Sequence, residues 1–195
     1  MDALRIADGL WRWTAVHPRW EHWPDNERES PEVGCVYYEA DDATVLIDPL
    51  VPAGEEDDFL RHLDADVERR ELPVVILLTA EWHRRSAVEL ARRYDARIGG
   101  ALPADIEELP IEGADERQVA YFIRPHAALV VCEVFAVDVD GELRVCASPA
   151  LKRPEELAAS LDRLMQLPVE RLLVSHGEPV LEDAKARMAE ALARR

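Results

Sequence analysis

The sequence predicts a layered α/β fold, and three observations carry that prediction. Short apolar runs closed by turn residues read as buried strands. Segments with apolar residues at i, i+3, i+4 and i+7 read as amphipathic helices. In each half of the chain strands run into helices, which suits stacked layers rather than separate domains. A chain of 195 residues can bury a sizeable core, and a single domain over 1–195 is expected.

Residues 9–17 alternate apolar and polar side chains over a strand length and predict a half-buried strand. Pro18, Pro24 and Pro31 among charged residues predict a loop over 18–32 that carries Trp20 and Trp23, because proline removes ladder donors. Strands over 34–39 and 44–47 follow, joined by Asp41-Asp42 and ending at Asp48-Pro49. Phe59, Leu60, Leu63 and Val67 predict a helix over 55–70, with an acidic first turn that suits the helix dipole. A strand over 74–78, a helix over 86–94 with Ala87, Leu90, Ala91 and Tyr94 on one face, and a short strand at 97–99 complete this half.

In the second half, 119–123 and 129–131 read as a hairpin turned at Arg124-Pro125-His126, and Asp140-Gly141 marks a turn before a strand at 143–146. Pro154 starts a helix with Leu157, Leu161, Leu164 and Met165 inward. A last strand at 171–174 leads through His176-Gly177 to a helix striped by Leu181, Ala184, Met188, Ala191 and Leu192.

Composition narrows the function classes. The formal charge of −17 disfavours nucleic-acid and anionic-membrane partners, which need clustered Lys and Arg. Apolar runs such as 74–78 and 127–132 fall far short of the roughly 20 residues that cross a bilayer. The start, Met-Asp-Ala-Leu-Arg, has neither the basic beginning nor the apolar stretch of a signal peptide, so a cytoplasmic location is expected. Cys35, Cys132 and Cys146 are odd in number and form no Cys-x-x-Cys pair, which predicts reduced, core-packed thiols. The sequence carries no signal of oligomeric state.

The segment 74–86 is an apolar strand that stops at Thr79 and releases Glu81, Trp82, His83, Arg84 and Arg85 where a helix begins. Side chains beyond the carboxyl end of a strand occupy the usual ligand crevice of sheet proteins. Asp48, Glu81, His83, Arg84, Arg85, Glu133 and His176 are accordingly the candidate ligand-binding residues, and His83 and His176 the candidate catalytic ones. Either imidazole also reads as a positioned structural group. His126 reads as a hairpin-turn residue, and His17, His22 and His62 as surface or loop residues. A Ser-His-acid set could be drawn from Ser86 or Ser175, His83 or His176, and Asp48 or Glu133, but no Gly-x-Ser-x-Gly elbow supports it. Gly99-Gly100 lacks the further residues of a phosphate loop. Trp11 and Trp13 share a strand face, which favours core or groove packing over ligand stacking.

Five segments in order, Val45-Leu-Ile-Asp-Pro, Val75-Ile-Leu-Leu-Thr, the hairpin ending at Cys132-Glu133, Leu172-Leu-Val-Ser-His-Gly-Glu-Pro-Val and the closing amphipathic helix, together resemble the metallo-β-lactamase superfamily. The resemblance implies an αββα four-layer sandwich. More closely, Ile47-Asp48-Pro49-Leu50, Trp82-His83-Arg84-Arg85-Ser86 and His176-Gly177-Glu178-Pro179 resemble a poorly characterised group of its short members.

Metal-binding members hold two zinc ions through a His-x-His-x-Asp-His cluster, a later His, a bridging Asp in a Gly-Asp pair and a last His. Laid from Thr79, the cluster falls on Ala80, Trp82, Arg84 and Arg85, none of which binds zinc. The Gly-Asp pair falls on Cys132-Glu133 and the middle His near Ala114-Asp115. Glu133 and His176 match ligand positions, and His83 is displaced by one residue from another.

What the resemblance implies is therefore a hydrolase-like protein with a dismantled dinuclear site and no cofactor, a pseudoenzyme that binds a small, anionic molecule. The alternative is a metal-dependent hydrolase with one zinc ion on Glu133, His176 and His83. A metal-independent enzyme using His83 or His176 as base is the third reading. Arg84 and Arg85 are expected to pair with Asp48 or Glu133 where a metal would stand, to hold an anionic ligand as a fork, or to face solvent.

Overall fold

Among the residues described by the computed structural model, 3–20, 30–114, 117–146 and 153–194, the apolar runs and helical stripes become twelve strands and four α-helices. They form two compact units. The first takes in the described residues up to Trp20, together with 31–78 and 82–104. The second holds Ser30, Thr79–Glu81 and the described residues from Asp105 onward.

The first unit is built on a six-stranded sheet ordered β1 (Leu4–Ala7), β2 (Leu10–Val16), β3 (Glu32–Glu39), β4 (Thr44–Ile47), β5 (Val74–Leu77) and β6 (Arg97–Ile98). Strands β1 to β4 each pair antiparallel with their neighbours in this run. The helical crossovers α1 (Glu56–Arg70) and α2 (Ala87–Tyr94) make β4, β5 and β6 parallel. One sheet face carries Trp13, Cys35, Leu46 and Ile76, packed with Phe59 and Leu63 of α1 and Ala87 and Leu90 of α2. Trp13 and Phe59 rings lie 5.4 Å apart and Trp11 meets Tyr37 at 5.5 Å, so the shared face of the two tryptophans is a packing face, as expected.

The second unit has a four-stranded sheet ordered β12 (Arg171–Val174), β9 (Ala128–Val131), β8 (Gln118–Ile123) and β7 (Ile106–Ile111), and a two-stranded ribbon of β10 (Phe135–Val137) and β11 (Leu143–Val145). Helices α3 (Pro154–Gln166) and α4 (Ala184–Ala193) bring Leu157, Leu161, Leu164, Met188 and Ala191 against Ala120, Phe122, Leu129 and Leu172. Thr79 and Ala80 extend this unit, with Val119 N–H donating to Thr79 O at 2.8 Å and a bridge between Ala80 and Gln118.

Three strands are missing from the sequence reading. β1 is paired through the Asp8-Gly9 turn, where Gly9 takes φ +72°. β7 contains Pro110 and two glutamates, a pattern that fits only an outer strand, and β7 is one. β10 is three residues long and too short to show a period. Two side chains also depart from expectation. Leu181 precedes α4 and is 37 % exposed, so the stripe begins at Ala184. Arg12 alternates with apolar neighbours yet is buried. No helix among the described residues is long and apolar enough to cross a membrane.

Candidate functional site

Strand β4 ends at Ile47, and the chain then turns through Asp48, Pro49, Leu50 and Val51. A turn this buried must satisfy its backbone polar groups locally or lose about 1 to 3 kcal/mol for each one left over. The donors and acceptors come from far along the chain. Asp48 N–H donates to Leu77 O at 3.0 Å, and Pro49 O accepts from Ser86 N–H at 3.1 Å. Leu50 O accepts from Trp13 Nε1 at 2.9 Å, and Val51 N–H donates to Ser86 Oγ at 3.0 Å. Asp48 O accepts from Arg85 Nη1 at 3.1 Å. The same guanidinium nitrogen donates to Gly34 O at 3.4 Å and lies 4.0 Å from Cys35 Sγ.

Two residues in this clasp hold left-handed backbone: Asp48 at φ +50° and Arg85 at φ +32°. Only glycine takes up that region without a steric cost, so the bonds around the turn must outweigh about 1 to 2 kcal/mol at each residue.

The Asp48 side chain receives His83. Nδ1 of the imidazole lies 2.9 Å from Oδ2, and each side chain is 3 % exposed. An ionised carboxylate only accepts, so Nδ1 carries the proton in this bond. Residues 81–84 make this possible by forming a 3-10 turn rather than a full helix, with Glu81, Trp82 and Arg84 outward and His83 inward. The Trp82 ring stands edge-on to the imidazole, centroids 5.9 Å apart.

Charge around the clasp is reflected in its titrating neighbours. His17 is held below its ordinary value of 6.5, first by burial and then by the charges of Arg85, His83 and Arg19. Burial pushes the Cys35 thiol up to about 11, against the lowering effect of Arg85, so it is a thiol and not a nucleophilic thiolate at neutral pH. All three cysteines are thiols, with Cys35 and Cys132 buried and Cys146 half-buried.

The structure thus brings Asp48, His83 and Arg85 together. The expected pairing of an arginine with the Asp48 carboxylate takes a different form: the imidazole meets the carboxylate, and Arg85 holds the main-chain oxygen of the same residue. The reason is the left-handed turn at Asp48, which needs its carbonyl held as much as its charge. Arg84 and Glu81 are exposed. Ser86 spends its hydroxyl on Val51 N–H, so the His83–Asp48 half of a Ser-His-acid set is present without a bond from His83 to Ser86 as its third member. Trp13 as a donor to Leu50 and Arg12 as a buried cation escaped the sequence reading, because strand alternation marks a face and says nothing of which polar atoms that face will meet.

Glu133 and His176 belong to the second unit. Glu133 is half-buried between β9 and β10, and His176 is buried after β12. Residues 172–180 fold back on themselves, with Leu172 N–H donating to Val180 O at 2.8 Å and Val180 N–H to Leu172 O at 2.9 Å. Val137 N–H donates to His176 O at 3.0 Å. Gly177 follows at φ +86°, and a Cβ there would stand 1.9 Å from Val137 O, so only glycine fits. His22, Trp23 and Asp115 lie outside the described residues.

No family model matches the sequence, and no curated protein matches it. Solved structures do. A metallo-β-lactamase superfamily protein from the archaeon Sulfolobus tokodaii is similar with a TM-score of 0.65 at 16 % identity, over 95 % of this chain and 85 % of that one. A metallo-beta-lactamase from Pontibacter korlensis has a TM-score of 0.59 at 13 % identity, over 100 % of this chain and 99 % of that one. The flavodiiron core of a Synechocystis protein has a TM-score of 0.65 at 14 % identity, over 99 % of this chain and 60 % of that one. The chain has the metallo-β-lactamase fold, the mixed α/β architecture that its motifs predict.

Proposed function

We propose that this protein uses the metallo-β-lactamase fold without a two-metal centre and works by binding a small molecule rather than by hydrolysis. Fold does not decide function, so the reading depends on the residues at the site. The observation that carries it is the clasp on the 48–51 turn. Of the four positions the resemblance assigns to cluster ligands, Ala80 bridges to Gln118, Trp82 and Arg84 are exposed, and Arg85 is hydrogen-bonded to main-chain oxygens. None offers a lone pair to zinc, and Arg85 carries a fixed positive charge. His83 has committed Nδ1 to Asp48. This donor set does not fit two zinc ions, and no catalytic step is assigned to a metal.

A small anion is the ligand class that fits best, with Arg84 as the exposed guanidinium nearest in sequence to the clasp. The charge of −17 speaks against nucleic-acid and anionic-membrane partners. Metal analysis of protein purified without chelator tests the central point. Well under one equivalent of zinc, iron or manganese is expected. Near-stoichiometric metal that disappears in His176→Ala would overturn the reading in favour of a hydrolase with a single ion. Titration with inorganic phosphate tests the ligand class: saturable binding weakened about tenfold in Arg84→Ala supports it, and identical affinity in the variant removes Arg84 from the site.

A further inference from the structure

We draw no further inference here: the strongest candidate, the surface patch of Trp82 and Arg84 on the turn of residues 81–84, belongs to the site already described, and nothing in the structure shows what covers the exposed part of the indole.

Discussion

Two turns follow buried strands in this protein and draw on different mixes of side-chain and main-chain bonds. The 48–51 turn of the first unit is held largely by side chains: His83, Arg85, Ser86 and Trp13 each supply a polar atom. The loop around His176 in the second unit is held by main-chain bonds between Leu172 and Val180 and from Val137, with Gly177 allowing the close approach. Side-chain clasps can be dismantled one atom at a time. A main-chain clasp tolerates most substitutions and fails at its glycine. The first arrangement is where chemistry can be tuned by point changes, and the second is where geometry is fixed.

The largest effect tests the second turn. Gly177→Ala adds a Cβ onto Val137 O at φ +86° and is expected to cost at least about 4 kcal/mol in urea unfolding, or to prevent folding. A loss under about 1 kcal/mol would show that the loop yields and that the contrast is wrong. Asp48→Ala comes next. Breaking a buried hydrogen-bonded carboxylate is expected to cost about 3 kcal/mol, while Asp48→Asn, which tolerates left-handed backbone and still accepts from Nδ1, should recover most of it. Equal losses for both variants would point to charge rather than hydrogen-bond geometry.

Ser86→Ala leaves Val51 N–H without its acceptor and should lower stability by about 1 kcal/mol, measured in the same way. The smallest effect concerns His17. Its folded pKa lies below the unfolded value of 6.5, so the unfolded state binds the proton more readily and stability falls as pH drops through and below 6.5. His17→Gln should flatten that part of the stability profile. Removing the Arg85 charge should move the His17 titration, followed by proton NMR, back toward 6.5; no movement would place the guanidinium outside its reach.

Local pattern made much of the fold legible. Apolar runs gave β4, β5 and β12 to within a residue, and helical stripes gave α1, α2 and α3 with their inward faces. Both signals arise from burial of one face at a fixed period, which a sequence records directly. β7 and β10 were not legible, because Glu107, Glu108 and Pro110 in one and three residues in the other carry no period. The site was half legible. Asp48, His83 and Arg85 stand out as polar residues released at strand ends, and their residue types determine what they can and cannot ligate. Which of them would meet was decided by tertiary structure. A carbonyl turned by left-handed backbone at Asp48, 37 residues away in the chain from Arg85, sets the contact, and no periodicity encodes it. The sequence alone determined the strand ends, the helices and the chemistry available at each position. Only the folded chain decided that the imidazole takes the carboxylate and the guanidinium the main chain, because hydrogen-bond partners are chosen by distances that open only after the strands have paired.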